Sequence, residues 1–115
     1  MSKKRLTRDD VLNVKDIVQE EVYVSEWKGS VLVQSLSGKK RSQIMNYAMS
    51  DKGKMDSMKL YPALMVAGCV EPEFTREDSE AINERNSGAL EKVCKVIMRL
   101  SGISQDDLEE AEKNS

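Results

Sequence analysis

Residues 21–36, EVYVSEWKGSVLVQSL, constrain this chain more than any other stretch. Val22 and Val24 alternate with Tyr23, Glu26-Trp27-Lys28-Gly29 breaks the pattern, and Ser30 to Leu36 resumes it. Val31, Val33 and Ser35 then share one face and Leu32, Gln34 and Leu36 the other. β-branched and aromatic residues at a period of two fit a pleated, half-buried surface, so the segment predicts a β-hairpin. Gly29 is the expected carrier of the positive φ that a tight turn commonly needs. Two strands alone are marginally stable in water, so other elements have to cover one face. Trp27, at the turn, either anchors the turn on those elements or faces a partner.

The covering elements read as helices. Thr7 followed by Asp10 fits a capping box and opens a short helix containing Val11 and Leu12. In KKRSQIMNYAMSD, residues 39–51, Ile44, Met45, Ala48 and Met49 fall on one face at helical spacing. Lys52-Gly53-Lys54 is a break, and Asp56-Ser57 can start the next helix. Pro62 then sits either in the first turn of a helix that begins near Tyr61 or at a kink. Leu64, Met65 and Gly68 continue the helical period, which favours helix over strand up to Val70. Thr75 and Asp78 repeat the capping pattern and open a polar helix through Glu84. ALEKVCKVIMRL, residues 89–100, is the clearest amphipathic helix, with Leu90, Val93, Cys94, Ile97 and Leu100 on one stripe. Gly102 is its expected stop. Ser104 and Asp107 open a last, polar segment with Ile103, Leu108 and Ala111 as its apolar anchors. The expected fold class is α+β: a small N-terminal hairpin or sheet packed against about four helices, as one domain over residues 1–103, with residues 104–115 a short polar helix or tail. Leu60, Leu64, Leu90, Val93, Ile97, Ile44, Val31 and Val33 are the expected core.

Composition narrows the function classes. With 39% hydrophobic and 33% charged residues, a chain of 115 residues can build one core and is too apolar for a disordered tail. Its longest apolar run, residues 63–70, is eight residues, against the 18 or so of a membrane span. The basic N-terminus lacks the apolar run of a signal peptide. The net charge of −2 hides alternating blocks: residues 1–8 carry four positive charges, 9–26 are net −5, 27–60 net +5, 61–86 net −4 and 87–115 net −2. Such patterning suits contacts of mixed sign better than a nucleic-acid backbone.

Little in the sequence points to covalent chemistry. There is no His, so Ser-His and Cys-His pairs are impossible within this chain. Cys69 and Cys94, among apolar neighbours and 25 residues apart, read as buried thiols of a reducing cytoplasm rather than as zinc ligands or a disulfide. The paired acids mostly fall at expected helix starts, where capping explains them. Phosphate-binding and dinucleotide-binding glycine loops are absent, so no catalytic, cofactor or metal residues are assigned and no enzyme is expected. Five of seven methionines lie between residues 45 and 65. Methionine is flexible and polarizable and recurs on surfaces that accept varied apolar partners. Met45, Met49 and Met65 read as core. Met55 and Met58, beside Lys52, Lys54 and Lys59, are candidates for a partner groove that would take an acidic amphipathic helix, with Trp27 a further contact.

Three stretches, VYVSEWKGSVLVQSLSG (22–38), YPALMVAGCVEPEFTRED (61–78) and VIMRLSGISQDDLEEAEKNS (96–115), together resemble the tail assembly chaperones of long-tailed bacteriophages, of the type found in phages and prophages of Gram-positive bacteria. The likeness lies in the order of parts: a Trp turn with short strands, a helix leaving through valine, acid and proline into a capped helix, and an LSG helix stop before an acidic end. The resemblance implies a non-enzymatic protein of the bacterial host cytoplasm that binds the tape-measure protein and helps recruit tail-tube subunits. It implies no cofactor and no membrane, and leaves a homo-oligomer open. It also implies that this chain corresponds to the short form of a family in which a longer form is often made by ribosomal frameshifting. The alternatives are a small nucleic-acid-binding regulator, using Lys39, Lys40, Arg41, Lys52, Lys54 and Lys59 on phosphates, and a virion structural or connector protein.

Overall fold

The computed structural model describes residues 4–113. Lys3 of the basic N-terminal block, and Asn114 and Ser115 of the acidic end, lie outside them. The described chain runs α1 (Arg8–Asn13), β1 (Gln19–Val24), a 3-10 turn (Ser25–Trp27), β2 (Gly29–Gln34), α2 (Gly38–Ala48), α3 (Ser57–Gly68), β3 (Cys69–Glu71), a second 3-10 turn (Arg76–Asp78), α4 (Ser79–Asn83), α5 (Ser87–Leu100) and α6 (Gln105–Lys113). The fold class is α+β.

β1 and β2 form the expected antiparallel hairpin, with Val22 opposite Val31 and Val24 opposite Gly29. The period-two pattern puts Val22, Val24, Val31 and Val33 on one face, and all four are buried. α5 covers that face with Leu90, Val93 and Ile97, and α3 packs beside it with Leu64 and Met65. The eight expected core residues are buried there, together with Ala48, Ile82, both cysteines and Leu108; of the methionines read as core, Met65 is buried while Met45 and Met49 are half-buried. Burial of each such aliphatic side chain contributes about 1.5–3 kcal/mol.

The turn differs from expectation. Lys28, not Gly29, takes the left-handed backbone, at φ 54°, because the 3-10 turn closes when the Lys28 N–H donates to the Ser25 carbonyl at 3.1 Å. The stretch after Gly68 is also different: the helix stops there, and Cys69–Glu71 adds a third strand antiparallel to β2. Helical spacing through Gly68 concealed it, since three residues are too few to set a period of two. The expected polar helix over residues 75–84 is divided into a 3-10 turn and the short α4, and the described residues hold six α-helices rather than about four.

Gly68 ends α3 where no side chain fits. A Cβ there would lie 2.7 Å from the Ile97 side chain, so glycine lets α3 approach α5 closely. Pro62 lies inside α3, five residues past its first, and is buried. The helix begins at Ser57, with Asp56 capping the Met58 N–H at 2.9 Å. Proline has no N–H to offer the Met58 carbonyl one turn back. The Asn83 side-chain amide of α4 donates to that carbonyl instead, at 2.9 Å. The break in the helical ladder is thereby a joint between α3 and α4. α5 ends as expected: Gly102 at φ 72° closes a Schellman turn in which the Ile103 N–H reaches the Met98 carbonyl at 2.8 Å, and Ile103 is buried.

Candidate functional site

The described structure presents several apolar surfaces, and the chain's two ends treat them differently. At the N-terminal end, α1 is closed by the expected box: Thr7 Oγ1 accepts from the Asp10 N–H at 3.1 Å, and Asp10 accepts from the Thr7 N–H at 3.0 Å. These bonds hold the Asp10 carboxyl below its ordinary value. None of the residues of α1 is buried. Leu6, Val11, Leu12, Val14, Ile17 and Val18 are all exposed, Leu12 at 63%. The segment is fastened where it meets the sheet: the Val18 N–H donates to Ser35 Oγ at 2.9 Å, and the Ser35 N–H donates to the Val18 carbonyl at 2.8 Å.

At the C-terminal end, α6 lies over a groove between α3 and α5. Its start carries the same box, Ser104 with Asp107, at 3.1 and 2.7 Å. Those bonds, with Arg41 nearby, hold the Asp107 carboxyl below its ordinary value. Leu108 is 8% exposed and touches two linings at once. On one side are Met45, Ile44, Leu64 and Ile103, with Arg41 at the edge. On the other are Met55, Tyr61 and Cys94, in a cavity of about 300 Å³ with Lys95 at its edge. Leu60 and Met98 belong to both. Glu112, one turn beyond Leu108, accepts a hydrogen bond from the Met55 backbone N–H at 2.6 Å.

The six residues singled out from sequence do not converge on one site. Met55 lines the groove beneath α6, where it is half-buried. Met58 is 69% exposed, yet does not line that groove. Lys52 and Lys54 are exposed in the turn between α2 and α3. Lys59 places its ammonium 5.6 Å from the centre of the Tyr47 ring, and Arg76 lies over the same ring at 5.8 Å. Tyr47 in turn borders an open groove of about 400 Å³ floored by Ile44, Ala63, Val66 and Ala67. Trp27 packs against the core and also lines a wide groove of about 710 Å³ with Met65, Phe74, Ile82 and Leu90, edged by Glu73 and Asp78. The anchoring reading describes the packed side of Trp27, which is half-buried. Sequence reasoning missed Tyr47, Phe74 and Met98. The i, i+4 relation of Gln43 to Tyr47 and the amphipathic register of Met98 were the available signals.

The thiols are chemically quiet. Burial pushes Cys94 up to about 12 and Cys69 up to about 11, far above the range where a thiolate forms at neutral pH. Cys94 Sγ lies 3.6 Å from the Tyr61 carbonyl, which accepts its weak hydrogen bond. Among the described residues, no three His, Cys, Asp or Glu side chains are grouped to hold a metal ion, and no helix is long and apolar enough to cross a membrane. No protein-family model, no curated protein and no solved structure matches the chain.

Proposed function

We propose that this protein acts by binding another polypeptide, as a phage or prophage tail assembly chaperone that holds the tape-measure protein and assists assembly of the tail tube without covalent chemistry. The observation that carries the reading is the N-terminal segment. Six large apolar side chains between Leu6 and Val18 lie exposed along one short stretch, on and around a capped helix that buries none of its own residues. An isolated helix needs roughly 12–15 residues to persist in water. A six-residue helix with an apolar surface gains its stability from what it meets. An exposed cluster of this kind is a contact surface rather than a packing element.

The physical task fits. A tape-measure chain exposes long apolar helical stripes until the tube encloses it. A small partner with exposed aliphatic side chains covers such stripes by apolar contact, repeatedly along the chain and modestly at each point. It leaves when tube subunits bind better. The cytoplasm of the bacterial host is where this work is done.

The test is co-expression with a candidate tape-measure protein from a neighbouring gene. The expected result is a soluble complex that co-purifies, and its loss when Val11 and Leu12 are both replaced by Asp. An insoluble tape measure with no recoverable complex, the wild-type chain being folded, overturns the reading.

A further inference from the structure

The groove beneath α6 has a more specific shape than the other apolar surfaces, because the chain shows what fills it. Met45, Met55 and Met98 line it around Leu108, a lining that adapts to different side chains. At one end stands a backbone donor, the Met55 N–H, supplied with an acceptor by Glu112. At the edges stand Arg41 and Lys95, the latter paired with Glu91 at 2.7 Å. The occupant is an acidic amphipathic helix: QDDLEEAEK carries five acids and one lysine, buries Leu108 and leaves most of its other residues exposed. Leu108 and Glu112 stand four apart, so they share one face.

α6 is held there lightly. Leu108 is its one buried residue, and it joins the body through the Gly102 turn. An element with a single buried anchor opens at a much lower cost than the core. When it opens, the Met55 N–H loses its carboxylate, and Cys94, Leu60 and Met98 lose cover.

We propose that this methionine-lined groove is a docking site for an acidic amphipathic helix that carries a leucine and, four residues later, a glutamate, and that α6 is its resident occupant, displaced when such a helix arrives from a partner chain. The leucine fills the space between α3 and α5, the glutamate accepts from the Met55 N–H, and an acid at the helix start faces Arg41. A tethered occupant acts at an effective concentration of about a millimolar, so it excludes weak competitors and yields to a partner that adds contacts of its own. The assignment is independent of the tail-assembly reading, because its test needs this chain alone.

A labelled synthetic peptide with the sequence of residues 104–115 is titrated against the full-length chain and against full-length Leu108→Ala and Glu112→Ala variants. The alkylation rate of Cys94 is followed in a Cys69→Ser background. The weakened tether is expected to raise peptide affinity about tenfold or more over the unaltered chain. Cys94 reacts faster in both variants, and added peptide restores its protection. A peptide with alanine in place of the leucine, or alanine in place of the glutamate four residues later, restores none. The proposal is overturned if the peptide binds none of the chains while circular dichroism and Trp27 fluorescence show them folded. It is equally overturned if the altered peptides bind as well as the original. Should Leu108→Ala disturb the fold, Glu112→Ala alone decides, since its side chain is only half-buried and its truncation takes the acceptor from the Met55 N–H.

Discussion

The middle of this molecule and its two ends obey different rules. Between β1 and α5 the side chains interlock: Val24, Val33, Val93 and Ile97 are wholly buried, and Gly68 is shaped to the side chain it meets. At the ends, α1 and α6 carry the same capping box, Thr7 with Asp10 and Ser104 with Asp107, yet one buries nothing and the other a single leucine. Caps specify where a helix starts, at about 1 kcal/mol each. They do not specify what the helix rests on. The middle is thus defined by packing within the chain, and the ends by local hydrogen bonds that leave apolar side chains available to others.

The sharpest way to break that comparison is to attack the interlock. Ile97→Ala should cost about 2–5 kcal/mol, since its side chain is fully buried between sheet and helices. Gly68→Ala should cost about 1–3 kcal/mol, because the new methyl group meets Ile97 at 2.7 Å. Combined, the two should cost less than their sum by more than about 0.5 kcal/mol, as the added methyl occupies space that Ile97 vacates. Urea unfolding of the four chains measures this. Strict additivity would show that Gly68 and Ile97 do not share the space described.

Acid separates middle from ends at lower energy. Asp10 and Asp107 are held below their ordinary value of 3.8, chiefly by the N–H groups they accept from in the folded chain. A folded value below the unfolded one gives stabilisation that is present above 3.8 and is lost as pH falls through the lower, folded value. α1 and α6 should therefore fray below about pH 4 while the core amides stay protected. Amide signals of Val11 and Leu108, followed against those of Val93 as pH is lowered, test it. Simultaneous loss of all three would mean that the ends are part of the cooperative core.

How far each region could be read from sequence follows the same division. Strand alternation placed Val22, Val24, Val31 and Val33 on their buried face, and the 3.6-residue stripe of α5 identified Leu90, Val93 and Ile97, because burial on one face leaves a period. All three capping boxes were visible because they are local. What stayed hidden depended on distant partners. Nothing near Pro62 announces Asn83 as the donor to Met58, 25 residues away. Nothing near Met55 announces Glu112, 57 residues on. Within the methionine cluster, Met55 and Met58 diverge: one lines the groove under α6 and the other does not. Lysines beside them in sequence were a poor guide, as Lys59 lies over Tyr47.

The smallest effect on stability tests the other half of the comparison. Leu12 is 63% exposed and belongs to a helix none of whose residues is buried. Leu12→Asp should shift the unfolding free energy by no more than about 0.5 kcal/mol, since no apolar burial is lost. Losing a leucine costs several times more wherever leucine is packed. A small shift would show that selection for stability does not keep that side chain apolar, and its reason must then lie outside this molecule. A large shift would mean that the N-terminal segment is seated on the body in solution, closing the surface on which the proposed function rests. Equilibrium unfolding of the single variant, read by Trp27 fluorescence near the hairpin turn, distinguishes the two outcomes without any partner present.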